Sequence, residues 1–495
     1  MTSALAIGTT LATALIFAML GIWHMRNLRL SVEEYIVSRK SLGAGASLAT
    51  VTASVIGAWI LFSPAEAATW AGIAGVIGYA LGQAAPLLAL AVIGPRMRAL
   101  MPQGHSLTEY AWHRYGPPMY VLTLLLMLFY MFVFLSAELT AISRTLQLVA
   151  DIPLVWTALI VAAGTLAYTC YGGLRASMFT DGIQFTLIIP LLLVTFFVVL
   201  GELGGLKGAF GPVAGGAPQL LSLNHRAGAA FGFTLVIAIL AANLFHQGFW
   251  QRIYACRDAT AIRKSFYASG LVVIPIVLLA GLFGLMAVGQ EVPPEQASVA
   301  LFVLAVESLP TWALLVLLIL ALALVMSSMD TALNGIASTV TTDLARFRPN
   351  TRVGGLLRSS RVLTIITAIP AVFIAALGQS VLYLFLIADL VCAAAVVPVF
   401  YGLYARRFTG TGALASAVGG LLVGAMFFPK PDFQPWFRPD WLAVHPDFQF
   451  LASFGSALLV SSAIALAWNV AARLRAPDKI YDFERLTRNV RLIEG

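Results

Sequence analysis

Charge is what this sequence has least of. Only 11% of its 495 residues are Asp, Glu, Lys or Arg, against 60% hydrophobic residues. A soluble domain carries about 25% charge, and a chain of this length would have to coat two or more such domains. The shortage excludes a soluble enzyme, a disordered chain and a nucleic-acid-binding protein. Cysteine is scarce as well. Cys170, Cys256 and Cys392 are the only three, and they form no disulfide framework, zinc spacing or haem motif. The sequence also lacks a Ser-His-Asp signature, a Walker loop and a G-x-G-x-x-G after a strand, so neither a hydrolase nor an ATP-driven pump is indicated.

What the chain has instead is apolar length. Its mean hydropathy is +0.89, and a helical pass through a bilayer needs about 20 mostly apolar residues. Windows of that kind fall at roughly 3–24, 46–71, 73–94, 119–148, 153–171, 178–201, 229–249, 265–289, 311–338, 362–378, 380–404, 412–428 and 449–472. Backbone polar groups find no water in lipid, so such runs are helical. They are too long and too continuously apolar for barrel strands. The expectation is an all-α integral membrane protein of about 13 transmembrane helices, with the lipid bilayer as its main partner.

The first run is not a secretory signal, which would carry basic residues ahead of its apolar core. Here Arg26, Arg29, Arg39 and Lys40 follow the core. The positive-inside rule then puts the N-terminus outside and this loop in the cytoplasm. Alternating from there leaves only Arg144, Lys207, Arg226, Lys430 and Arg438, of 30 basic residues, outside or near the outer ends. The C-terminus falls in the cytoplasm, and the location expected is the cell membrane. The longest outer segments are 202–228, rich in Gly and Pro, and 429–448, rich in Pro and aromatics. A stretch at 296–308 reads as an outer amphipathic helix.

Ionisable residues inside passes are costly and often functional. Glu66, Glu138, Asp181, Asp330 and Asp389 are of this kind, each readable as an ion pair, a cap or a working group. His246, near the inner end of its pass, reads as an interfacial residue. Two passes are polar without being charged. GASLATVTASVIGAWILFSPAEAATWAG (45–72) is dense in small and hydroxyl residues and holds Ser63-Pro64 mid-pass. Proline removes a backbone donor, and a broken helix at mid-membrane is tolerated where it is buried or lines a cavity. MSSMDTALNGIASTVTTD (326–343) carries Ser327, Ser328, Asp330, Thr331 and Asn334. Small-residue packing explains a lone Ser. Two adjacent hydroxyls facing a broken helix point instead to a small hard cation, which prefers oxygen ligands and can use carbonyls freed by a helix break.

These blocks, with YTCYGGLRASMFTDGIQ (168–184) and SLTEYAWHRYG (106–116), resemble the sodium:solute symporter family, the sodium/glucose and sodium/proline cotransporter group. The resemblance implies a leucine-transporter-type core of two inverted five-helix repeats, 41–201 and 229–404. Residues 1–40 would add an N-terminal pass and first inner loop, 202–228 an outer loop, and 405–495 two more passes and a cytoplasmic tail. It also implies a co-transported sodium ion held by the carbonyls of Ala53, Ile56 and Leu324 and the hydroxyls of Ser327 and Ser328. Asp181 would aid release of the ion inward.

Three positions depart from the family pattern. Val55 stands where Asp or Asn is common, and Trp59-Ile60 stand where sugar carriers are polar. A compact amino acid, a urea-like solute or a carboxylate is therefore expected rather than a sugar. Trp59, Ser63, Tyr130, Phe134 and Asn243 are the candidate solute contacts by location. The function expected is uptake of a small solute by alternating access, powered by inward sodium flux. A proton-coupled carrier of the same fold and a solute sensor built on a transporter fold are the alternatives.

Overall fold

The computed structural model describes residues 1–28, 31–347, 353–430, 444–475, 480–490 and 492–493. Arg29, Arg348, Arg352, Lys479 and Arg491 lie outside the described residues, as does the 431–443 part of the second long outer segment with Arg438. Regular structure among the described residues is helical, apart from isolated bridging such as that between Leu42 and Cys256.

Among the described residues, eleven helices are long and apolar enough to cross a membrane. Two of them hold more than one pass or part-pass. Leu154–Glu202 runs for 49 residues, or about 73 Å at the helical rise, more than twice a bilayer's hydrocarbon thickness. It turns at Gly173, with φ 56° and ψ −145°, a left-handed conformation that glycine adopts without penalty. Tyr168 and Ser177, on either side of the turn, hydrogen-bond the same Asp330 carboxylate at 2.7 and 2.6 Å. A straight rod would hold their backbones roughly 13 Å apart.

The second case is Ser63–Leu100, which turns at Gly72, so its first residues complete the preceding pass. That pass is broken. Ala44–Val55 ends in extended backbone at Ile56 and Gly57, and a 3-10 turn, Ala58–Leu61, precedes the helix from Ser63. With this broken pass and the folded 49-residue helix, the passes among the described residues number thirteen, as the apolar windows predict.

The break lies several residues before Ser63-Pro64. Pro64 sits in the first turn of the second half-helix, where a missing N–H costs nothing. The interruption is therefore at Ile56-Gly57, not at the proline. The 202–228 stretch also differs from a plain loop. Gly205–Gly216 is helical despite its glycines, because Val213 buries itself against Ala68, Val76 and Leu285. The helix expected near 296–308 is present as Pro294–Val299 and Ala300–Ser308.

The Thr311–Phe347 helix runs through the centre of the molecule. It packs against the broken pass and against Pro117–Ala150 and Leu154–Glu202, and its residues from Leu320 to Thr339 are all buried. Its polar block is thus forced to find partners inside protein, since a buried polar group without a hydrogen bond is costly.

Candidate functional site

Restarting a helix in mid-membrane exposes backbone N–H groups with no partner in their own helix. In the broken pass these belong to Ala58 and Trp59. The Glu138 carboxylate, on Pro117–Ala150, takes both, at 2.7 Å from Ala58 N and 3.4 Å from Trp59 N. It fits only because residue 57 is glycine; a Cβ there would run into the carboxylate. The same carboxylate accepts a 2.7 Å hydrogen bond from Ser328 Oγ. Glu138 therefore ties the break directly to the central helix, and no part of it reaches solvent.

Ser328 Oγ also lies 3.0 Å from the carbonyl of Leu324. The carbonyl of Val325 lies 3.3 Å away as well, so one hydroxyl proton faces three acceptors. If Ser328 donates to Leu324, a proton on Glu138 satisfies the contact between the Ser328 and Glu138 side chains, because a protonated carboxyl is itself a donor.

A second cluster lies beside the first. Asp181 accepts from Ser327 Oγ at 2.5 Å, Thr50 Oγ1 at 2.5 Å and Ser54 Oγ at 3.3 Å. Arg252 Nη2 completes it at 2.7 Å, with both side chains fully buried. Arg252 further donates to Thr50 Oγ1 (3.0 Å), Gly248 O (3.1 Å) and Thr331 Oγ1 (2.9 Å). A buried ion pair is tolerable when its remaining donors and acceptors are filled in this way. The Asp330 carboxylate, held by Tyr168 and Ser177, abuts the same region through a 3.3 Å contact with Thr331.

Of the residues expected to hold a cation, Ser328 bonds both the Leu324 carbonyl and Glu138, and Ser327 bonds Asp181. Ala53 and Ile56 are fully buried at the break. Among the described residues no group of three or more His, Cys, Asp or Glu is placed to hold a metal ion.

Four of the five expected solute contacts line one enclosed cavity. Trp59, Tyr130, Phe134 and Asn243 are joined there by Val55, Tyr79, Gln83, Phe385 and Asp389, with leucines and Ile239 closing the wall. Ser63 is not part of this lining. It is fully buried, and its hydroxyl has no hydrogen-bond partner. The rings form a connected wall: Trp59 stacks on Tyr79 at 5.6 Å, and Phe385 meets Trp59 at 6.3 Å and Phe134 at 5.6 Å. The cavity is small, about 20 Å³. His246 is not interfacial. It is fully buried, lies edge-on to Phe134 at 5.0 Å, and its Nδ1 accepts from Gly248 N at 3.1 Å.

At the arginine-rich end, loop residues form a separate network. Glu33 binds Arg39 and, at 2.8 Å, His105 Nε2; His105 Nδ1 lies 3.2 Å from Glu109. Burial alone would lower the His105 pKa, but Glu109 and Glu33 outweigh it and push it up to about 9. Burial opposes the charged forms of Glu33 and Glu109, yet His105 holds both below the ordinary carboxylate value. Gln251 donates to Ile36 O at 2.6 Å and Arg98 to Cys256 O at 2.6 Å, pinning nearby segments together.

Comparison with known proteins fits this architecture. The model of the sodium:solute symporter family matches residues 35–420. The chain belongs to that family. It is 27% identical over 386 residues to a spermidine transporter of Candida albicans, covering 76% of this chain and 72% of that protein. It is 23% identical over 395 residues to a urea-proton symporter of Oryza sativa, covering 71% of this chain and 54% of that longer protein. A solved structure of a Na⁺-coupled sialic acid symporter, in a substrate-bound outward-open state, superposes with a TM-score of 0.72 at 15% identity, over 93% of this chain and 98% of that one. This last likeness shows the fold, a leucine-transporter-type core. The family makes the chain a cation-coupled membrane symporter of a small solute rather than an enzyme.

Proposed function

We propose that this symporter moves sodium and a compact nitrogen-bearing solute in the same direction, with the ion held where the broken pass meets Ser327 and Ser328. The observation that carries the reading is the bridge from Ala58 through Glu138 to Ser328. An ion entering beside that bridge meets the carbonyls of Ala53, Ile56 and Leu324 and the two hydroxyls. Glu138 adds a nearby negative charge in a region of low dielectric. Asp181, bonded to Ser327 on its far side, offers the next anionic stop on the way out. The arginine-rich end faces the cytoplasm in this reading, and repeats 41–201 and 229–404 rock about the site.

The solute occupies the aromatic cavity beside Trp59, Tyr130, Phe134 and Asn243, with Ser63 behind the wall. Relatives named for spermidine and urea support a small nitrogenous cargo over a sugar. An ion falling through ~100 mV contributes about 2.3 kcal/mol, and a tenfold ion gradient adds about 1.4 kcal/mol. Together they sustain roughly 500-fold accumulation of a neutral solute.

A second reading puts a proton on Glu138 in place of sodium. The single Ser328 hydroxyl proton, shared among the Glu138 carboxylate and two backbone carbonyls, favours it, and the rice relative is named for proton coupling.

Uptake into proteoliposomes, driven in turn by a sodium gradient and by a pH gradient, separates the two. Sodium coupling predicts that Ser327→Ala with Ser328→Ala abolishes sodium stimulation while the protein still inserts. Proton coupling predicts uptake without sodium that Glu138→Gln abolishes. Uptake indifferent to both gradients would remove the symport reading.

A further inference from the structure

We infer that the solute is an organic cation, bearing an alkylammonium or related N–H group, and that Asp389 is its counter-ion within the aromatic cavity. This rests on the preceding assignment of that cavity as the solute site.

Asp389 lies on the Val381–Tyr401 helix and is 4% exposed. Its Oδ1 is buried without a hydrogen-bond partner. The other carboxylates of the core are provided for: Glu138 by two backbone N–H groups and Ser328, Asp181 by Arg252 and hydroxyls, Asp330 by Tyr168 and Ser177. No Lys, Arg or His is among the residues lining the cavity. A carboxylate left unpaired in such surroundings is expensive, so its natural complement is a cation brought from outside.

The remaining polar lining narrows the cation's chemistry. Gln83 Oε1 is a second buried acceptor without a partner among the described residues, while one of the two N–H groups of the Asn243 amide is spent on Ile239 O at 3.0 Å. Two open acceptors call for a guest that brings N–H donors. The walls are ring faces of Trp59, Tyr79, Phe134 and Phe385, which attract organic cations. A bare alkali ion prefers a shell of oxygens, which these walls do not supply. A carboxylate solute, one of the classes the sequence allows, would meet Asp389 with no compensating cation. A zwitterionic amino acid would leave its own carboxylate without a basic partner. In the present closed shape the cavity admits a group of about the size of an ammonium, so a longer amine requires the wall to part.

At the end opposite the arginine-rich loops, a wider cavity of about 510 Å³ is lined by the acids Glu66, Glu295 and Asp447, with Arg144 reaching Ser298 on its wall at 3.4 Å. Glu66 accepts from Ser380 at 3.1 Å, and Ser380 caps the helix that carries Asp389 nine residues, or roughly 14 Å, further in. Clefts lined by one sign of charge concentrate the opposite ion.

The test is binding to the purified full-length chain, without gradients, by calorimetry with methylammonium, 1,4-diaminobutane, spermidine, urea and proline. The amines are expected to bind and to compete with one another. Asp389→Asn should weaken them by 100-fold or more, and Asp389→Glu should restore most of that loss. Phe385→Leu, which removes a ring face and keeps the carboxylate, should weaken amines several-fold, which keeps the inference testable should the Asp389→Asn chain fail to fold. Amine affinity unchanged in Asp389→Asn, or binding of urea or proline but no amine, overturns the inference. Amines that bind through Asp389 but are not driven by any cation gradient leave this site standing and defeat the symport reading. A neutral solute driven by the gradient with Asp389→Asn unaffected does the reverse.

Discussion

The junction around Ser327 and Ser328 and the aromatic cavity sit side by side, yet they treat buried polarity in opposite ways. At the junction Asp181, Arg252, Glu138, Thr50 and Thr331 all have partners within 3.0 Å. In the cavity Asp389 Oδ1 and Gln83 Oε1 have none. A satisfied network can hold two helices in one arrangement, since every polar group in it would be stranded by separation. An unsatisfied acceptor works differently: it stores an unmet demand that a guest can meet. The difference separates a junction whose groups already answer one another from a cavity whose acceptors wait for the solute.

The largest effect that would break this contrast is at Arg252. Arg252→Ala leaves Asp181 charged, buried and unpaired, a loss of ~3–5 kcal/mol, read by denaturation of the detergent-solubilised protein. Adding Asp181→Ala should recover much of that loss, because the stranded charge is then gone. A single Arg252→Ala chain as stable as the parent would show that the junction is not held by this pair.

Gly57→Ala comes next. The new methyl meets the Glu138 carboxylate, and overpacking of this kind costs ~1–3 kcal/mol. Glu138→Ala should relieve it, so the double variant is expected to be less damaged than the two single effects added together. Strict additivity would separate Glu138 from the break.

The smallest effect sharpens the picture at the arginine-rich end. The pKa of His105 is raised to about 9, so its contribution is complete below its ordinary value of 6.5 and is lost as pH climbs through about 9. Glu33 and Glu109 are lowered from 4.5, so theirs is present above that value and lost as pH falls through the lowered values. The network is strongest between these limits. Hydrogen-exchange protection of residues 31–38 and 104–109, corrected for the intrinsic base-catalysed rate at each pH, should be highest near pH 6 and fall by pH 9.5. Protection that stays constant across that range would mean His105 is not what closes this end.

Much of this architecture was legible in the sequence. The scarcity of charge and the apolar windows gave thirteen passes, and the hydroxyl pair picked out the central helix. Trp59, Tyr130, Phe134 and Asn243 do share a cavity. What stayed hidden depends on distance along the chain. Glu138 stood out as a costly carboxylate, but its partners are backbone N–H groups some 80 residues away, which leave no pattern in side-chain identity. Arg252 looked like one more loop cation, because its burial follows from how Gln247–Ala255 packs under the broken pass. Asp389 was visible as an isolated acid, although only the assembled walls reveal that nothing answers it. Ser63-Pro64 drew attention to the right pass but not to the break itself, since a proline opening a half-helix and one interrupting a helix read alike. His105 and Glu109 stand four residues apart, a spacing plain in the sequence and passed over, and their shared partner Glu33 could come only from the fold.

The turn at Gly173 has a mechanical meaning of its own. Its flank is filled by Tyr35, whose carbonyl and ring lie 2.6 and 2.7 Å from where a Cβ would stand. The two arms it joins have no loop between them to take up slack, and Asp181 sits eight residues along the second arm. Sway in one arm is therefore delivered to the other like motion through a stiff elbow, arriving at the acid that grips Ser327 instead of dissipating on the way.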